Sequence, residues 1–374
     1  MTTKNQSNNI VGAFTTFGKL EKVIIGSMPG KTYYENVIDR QTREQLQQIS
    51  EETVEDLKNL KNCVENFGVE VYQLENHFDQ PGVYDNGKTK ILNPRPPITP
   101  RDNIEFIGNK MLSLFNWQQP ARFFDDYAHH KLFGSWFRQG AEWYQMPKGW
   151  FDYKEIEVAS KIHPFPGESH PFLDSSNLLK LGNRIYANTY NSSNKLGLRW
   201  LQNVLGDEIS VIDVSDGKNF VNHIDCLVKV LRPGLAISKF PKELVVKQLP
   251  EFERWELIYI PIENRIESLW STIGDYEGQD GISIHYDTKL FGEKWLNEWV
   301  DDDINNTHFD IDCLAIDENN LVVSGESIEF ERLMKKYNIN THSVRFKHQF
   351  FWGFGVNCLF SDVKREDECI DYFK

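Results

Sequence analysis

The chain has 374 residues, 40% of them hydrophobic and 13% aromatic, with a formal net charge of −14. That composition supplies a sizeable core and excludes a disordered chain. The acidic balance argues against nucleic acid and membrane as partners, suits a cationic small molecule, and comes with no apolar run near the roughly 20 residues that span a bilayer.

Residues 1–18 read as a loosely ordered tail without an apolar signal core, and 19–374 as a single domain. Residues 20–25 predict a strand, 43–67 a long amphipathic helix and 69–74 a second strand. The proline-rich stretch 93–100 reads as a stiff approach loop inside the domain. Residues 104–112 predict a strand pair around Gly108-Asn109, and 122–143 a helix rich in aromatics. Three clear hairpins follow at 178–188, 226–238 and 312–324, each an apolar run broken by Gly, Pro or Asn. Helical patterns come after them at 196–205, 242–248 and 328–337, then strands at 209–214, 255–260 and 341–346. The unit strand-strand-helix-strand thus recurs about five times, and such α/β units can close into a ring.

The five cysteines are Cys63, Cys226, Cys313, Cys358 and Cys369. Their number is odd and no Cys-x-x-Cys occurs, so neither a disulfide framework nor a zinc ribbon is expected. A reducing, cytoplasmic setting fits. Four of the five read as core residues. Cys358 stands out because it follows Gly353-Phe354-Gly355, where the backbone can turn sharply toward a ligand. A nucleophilic thiol must ionise, which needs a nearby cation or base.

His223 and Asp225 lie two apart, so an extended segment sends both side chains to one face. His223 can then move protons while Asp225 accepts hydrogen bonds from a cation. Asp174 precedes a hairpin, where it can either orient His223 or start a turn. Asp102 offers a second carboxylate to a planar guanidinium, which presents five N–H donors. A thiol, a histidine and a carboxylate clamp together point to chemistry at a guanidinium carbon. The sequence has no Walker loop, no Gly-x-Ser-x-Gly, no metal-binding His-Glu-x-x-His and no basic-aromatic stripe for RNA.

From about residue 20 to 365 the chain resembles the glycine amidinotransferase family. The likeness is carried by Thr99-Pro100-Arg101-Asp102 with Gly108-Asn109, by Arg122-Phe123-Phe124, by Arg138-Gln139-Gly140-Ala141-Glu142-Trp143, by His223-Ile224-Asp225, and by Cys358 with Asp362-Val363. The resemblance implies the pentein fold, a five-bladed α/β-propeller of ββαβ modules. It implies Cys358 as nucleophile, His223 as general acid/base, Asp174 as partner of His223, and Asp102 and Asp225 as the guanidinium grip. It also implies transfer of an amidino group from L-arginine to an amine, without metal or organic cofactor, by a homodimer.

Three positions depart from the family pattern. Asn177 stands where a second carboxylate is usual, Asn222 where glycine-using enzymes tend to have Met, and Lys242 about where an arginine holds the donor carboxylate. Lys242 and Arg101 are therefore the expected carboxylate-binding residues. A hydrolase using water in place of the amine, and a non-catalytic ring that kept the fold, are the alternatives.

Overall fold

Tight antiparallel hairpins, each followed by a helix and a third strand, build the protein. The computed structural model describes residues 9–35, 40–76, 83–85, 90–92, 96–115, 122, 124–148, 170–189, 192–215, 223–260, 311–352 and 354–374. Strand β1 (Lys19–Ile25) leads through helix Arg40–Glu65 to β2 (Glu70–Gln73). A small hairpin follows, β3 (Val83–Asp85) with β4 (Lys90–Leu92).

Next come β5 (Ile104–Ile107), β6 (Lys110–Ser113), helix His130–Arg138 and β7 (Glu142–Gln145). The pattern repeats as β8 (Leu178–Leu181), β9 (Arg184–Ala187), helix Lys195–Leu205 and β10 (Ser210–Asp213). A further copy holds β11 (Lys229–Arg232), β12 (Leu235–Ser238), helix Lys242–Gln248 and β13 (Glu256–Tyr259). The last comprises β14 (Leu314–Asp317), β15 (Asn320–Ser324), helix Ile328–Lys335 and β16 (Asn340–Val344). The closing strand β17 (Phe360–Glu366) returns to pair antiparallel with β1, Ile25 opposite Phe360 and Lys19 opposite Glu366.

Among the described residues five sheets of three strands result: β17-β1-β2, β5-β6-β7, β8-β9-β10, β11-β12-β13 and β14-β15-β16. In each, the first two strands run antiparallel and the third joins parallel after a helical crossover. The first strands are buried along most of their length, whereas the third strands carry exposed residues. First strands therefore lie inside and third strands outside.

Five apolar clusters cement the sheets, each shared by neighbours in cyclic order. One joins Leu20 and Val23 of β1 to Leu314 and Val322. Another joins Ile24 to Ile104 and Phe133, a third Leu112 to Leu178 and Leu201, a fourth Leu179 to Val230 and Val245, and the last Ile237 to Ala315 and Phe330. A ring of ββαβ modules, the expected pentein architecture, is what these clusters enclose.

Two expectations change. The tail expected over 1–18 is tied down where it is described: Val11, Ala13 and Phe17 are buried. Gly12 exchanges backbone hydrogen bonds with Val363 and Arg365 at 2.8 and 2.9 Å, and Asp367 accepts the Phe14 and Thr15 N–H groups. Apolar side chains at alternate places give this segment a reason to pack; residues 1–8 lie outside the described residues. The helix expected over 122–143 is also shorter. A 3-10 turn covers Asp125–Ala128, the helix runs His130–Arg138, and Gly140 at φ 101° turns the chain into β7. Glycine enters this left-handed region without the usual Cβ clash, so the helix ends there.

Candidate active site

The first strand of most modules is preceded by one short helical turn at the inner face. These turns are Pro100–Asn103 before β5, Ser175–Asn177 before β8, Ile224–Cys226 before β11 and Asn357–Leu359 before β17. They pack on one another: the first meets the second and the last, and the second meets the third. Asp102, Asp174, His223, Asp225 and Cys358 thus converge from across the whole sequence.

His223 is extended (φ −118°, ψ 143°) and sits just before the Ile224–Cys226 turn. Its Nε2 lies 3.6 Å from Asp174 Oδ2. Asp174 is itself fixed by the turn it begins. Its Oδ1 accepts the Ser176 N–H at 2.9 Å and the Ser176 hydroxyl at 2.5 Å, while its own N–H donates to Ser193 Oγ at 3.1 Å. Asn177, the position without a second carboxylate, donates to Ser192 and Ser193 and so braces the same loop. Asn222 and Gly353 lie outside the described residues. Gly355 is not among the positive-φ glycines; its N–H donates to Asp312 Oδ2 at 2.5 Å.

The two clamp carboxylates arrive with protein guanidinium groups beside them. Asp102 Oδ2 meets Arg122 at 2.7 Å and accepts the Thr99 hydroxyl at 3.0 Å. Asp225 Oδ2 lies 3.5 Å from Arg101 Nε. Arg101 also approaches Glu105 at 3.5 Å and donates to the Leu178 carbonyl at 3.2 Å. Arg101, expected to meet a substrate carboxylate, is buried and engaged by Asp225, Glu105 and the Leu178 carbonyl. Lys242, the other residue expected to meet a substrate carboxylate, also has partners within the protein. Its Nζ donates to the carbonyls of Glu253 and Trp255 at 2.8 and 3.1 Å, which ties it to the chain segment after its own helix.

Several supporting residues carry no local sequence signal. Lys180 meets Glu105 at 2.7 Å with both side chains 1% exposed, and Ser175 donates to the other Glu105 oxygen. Arg122 also neighbours Asp125 at 3.7 Å. Lys229 donates to Asn357 Oδ1 at 2.7 Å, one residue before the thiol. Arg365 holds Asp362 at 2.8 Å. Burial opposes charge on Asp362, but Arg365 and its hydrogen bond bring the carboxyl down to about 2.

The field at the centre is set by carboxylates. Burial first, then Asp312, Asp225 and Asp102, push the Cys358 thiol well above its ordinary range. Cys358 is nonetheless partly exposed, and Arg101 and Arg122 face it. Burial and the Asp102 charge push Asp174 up to about 6, against His223 and the Ser176 hydrogen bonds. His223, Asp225 and Cys226 place one donor atom each within 4.8 Å of one another, a spacing a divalent ion could occupy. Burial pushes the Cys226 thiol up to about 12, and a metal ligand must be a thiolate, so the donor set suits a metal ion poorly. Among the described residues no helix is long and apolar enough to cross a membrane.

This arrangement can hold a flat cation near a thiol with a histidine-carboxylate pair at hand. No family model matches the chain. Over 290 residues it is 23% identical to the mitochondrial glycine amidinotransferase of Xenopus tropicalis, covering 73% of this chain and 60% of that protein. Over 287 residues it is 24% identical to the L-arginine:L-lysine amidinotransferase of Pseudomonas savastanoi pv. phaseolicola, covering 73% and 68%. The solved inosamine-phosphate amidinotransferase of Streptomyces griseus superposes with a TM-score of 0.71 at 19% identity, over 98% of this chain and 100% of that one. The chain thus resembles amidinotransferases in sequence and has the same pentein fold, while spanning less than two thirds of the length of the frog protein.

Proposed function

We propose that the protein is an amidinotransferase that moves the amidino group of L-arginine to a primary amine and releases L-ornithine. The observation that carries the reading is the convergence of Cys358, the His223–Asp174 pair and the carboxylates Asp102 and Asp225 at the starts of four different modules. Arginine enters with its guanidinium against Asp225 and Asp102. Its charge offsets the negative field at Cys358, so the thiol proton passes to His223. The thiolate adds to the guanidinium carbon. His223, held by Asp174, returns the proton to the leaving nitrogen as the C–N bond breaks. Ornithine departs and an amidino-cysteine remains. The incoming amine gives its proton to His223, forms the new C–N bond, and breaks the C–S bond to restore the thiolate.

The relatives named above act, by their names, on glycine, L-lysine and an inosamine phosphate, so the acceptor class is a primary amine. The test is incubation with L-arginine and a panel of such amines, following ornithine and the guanidino product by mass. Ornithine without citrulline, dependent on the amine and lost in Cys358→Ala, is the expected result. Citrulline or amine-independent ornithine would make the protein a hydrolase. No turnover with any amine would favour a binding ring.

A cytoplasmic setting is part of the proposal, supported by five free cysteines, and fractionation of the source cells tests it. A homodimer rests on the resemblance alone and is tested by sedimentation.

A further inference from the structure

A largely buried polar cluster beside Cys358 has no part in the proposed reaction. It forms where helix Arg40–Glu65 meets the segment that leads into the nucleophile turn. Glu52, Thr53 and Asp56 lie within little more than one turn of that helix. Their partners stand 291 to 299 positions on. Trp352 Nε1–H donates to Thr53 Oγ1 at 2.9 Å, and the Lys347 backbone N–H donates to Asp56 Oδ2 at 2.7 Å. Glu52 Oε2 lies 3.0 Å from Lys347 Nζ and 2.5 Å from His348 Nε2. Thr53 is fully buried and donates its own hydroxyl to the Ile49 carbonyl at 2.6 Å, which leaves the oxygen to accept from the indole.

The grip continues to the sulfur. Trp352 and Phe354 share one apolar cluster with Leu46, Ile49 and Leu57 of the helix, and Cys358 packs against that cluster. The Gly355 and Asn357 N–H groups then fasten to Asp312. The approach to Asp174 is held in the same way. Asn194, at the start of helix Lys195–Leu205, accepts the Phe172 N–H at 3.2 Å and donates to the His170 carbonyl at 2.8 Å. In both modules the helix after the second strand reaches back to the segment before the first.

We propose that Thr53, assisted by Glu52 and Asp56, is a positioning residue: it clasps the 346–352 segment to helix Arg40–Glu65 and so sets where Cys358 stands. This rests on the reading of Cys358 as the nucleophile. Addition to a planar carbon needs the sulfur close and aligned, and a shift of about 1 Å can cost about 10²-fold in rate. The clamp carboxylates Asp102 and Asp225 come from other modules. Loosening the clasp therefore moves the thiol against a guanidinium that stays bound. Such a fault lowers kcat and leaves KM in place.

Thr53→Val keeps the shape of the side chain and removes the acceptor of the Trp352 N–H, and Thr53→Ser restores it. Two measurements on the full chain test the clasp. Amide hydrogen exchange, read by peptide mass, follows residues 346–358, and steady-state kinetics with L-arginine and an accepted amine gives kcat and KM. In Thr53→Val the 346–358 peptide should exchange about tenfold faster, while peptides over 100–107 and 172–181 match the wild type. Turnover should fall about 10- to 100-fold with the KM for arginine within about twofold, and Thr53→Ser should return both readings to wild-type values. Glu52→Gln keeps the size of the side chain and removes the charge facing Lys347 and His348, and it gives the same reading should Thr53→Val not fold. Unmoved exchange in a folded variant, or faster exchange with kcat unchanged, would leave these contacts merely structural and overturn the proposal. Faster exchange in a protein whose wild type transfers no amidino group would sink the proposed function and leave the clasp standing; transfer with unmoved exchange does the reverse.

Discussion

Replacing Asp174 by Asn should make the protein more stable and much less active. Asp174 is 1% exposed and titrates at about 6 in the folded chain, raised by burial and Asp102 from 3.8. Between those two pH values the folded chain keeps a proton that the unfolded chain has already lost. Raising the pH through that window therefore costs stability, and the loss is complete above about 6. At about 1.4 kcal/mol per pH unit the penalty reaches at most about 3 kcal/mol. Asparagine has no proton to lose, yet its Oδ1 can still accept the two Ser176 hydrogen bonds. The variant should match the wild type near pH 4 and exceed it by up to about 3 kcal/mol at pH 7, measured by urea unfolding at a series of pH values. Asp56 and Asp312 titrate in the same window, but both are present in each protein and cancel in the difference. Turnover should fall by about 10²–10⁴, since His223 loses the anion that orients it. A stability difference that is flat with pH, or negative at pH 7, would refute the reasoning.

Lys180→Met should lower stability by about 3–5 kcal/mol, because it strips a buried cation from Glu105; a shift under 1 kcal/mol in denaturant unfolding would show that Arg101 and Ser175 suffice. Lys242→Ala should leave the KM for arginine within about twofold and cost about 1 kcal/mol of stability through its lost carbonyl contacts; a tenfold rise in KM would return Lys242 to the substrate. Gly197→Ala puts a Cβ 2.1 Å from the Phe172 carbonyl oxygen, two residues before Asp174. It should cost about 1–3 kcal/mol and lower kcat together with stability, and an unchanged kcat would mean that Asp174 does not feel that backbone.

The repeat was legible because each module advertises itself locally. Leu181-Gly182-Asn183-Arg184 and Arg232-Pro233-Gly234-Leu235 mark their own turns, and the helices after them show their apolar stripes. His223 and Asp225 were legible for a similar reason, two chemistry-bearing residues in one short stretch. Asp312 was not, because it sits between a hairpin and residues far away in sequence, and its partner Gly355 is 43 positions on. Arg122 read as part of an aromatic helix; its position is decided by Asp102 and Asp125, and the chain around Asp125–Ala128 is a 3-10 turn. The expectation for Lys242 came from the family resemblance, and nothing in the sequence marks the Glu253 and Trp255 carbonyls to which its Nζ donates.

The pairing of β1 with β17 has a consequence for biosynthesis. A growing chain can stack its modules one after another, but the arc stays open until residue 366 has emerged to meet residue 19. Contacts so remote along the chain form late. Cys358 lies at the entrance to that final strand, so the thiol of the proposed reaction joins the carboxylates and the histidine only when the last seam is sewn.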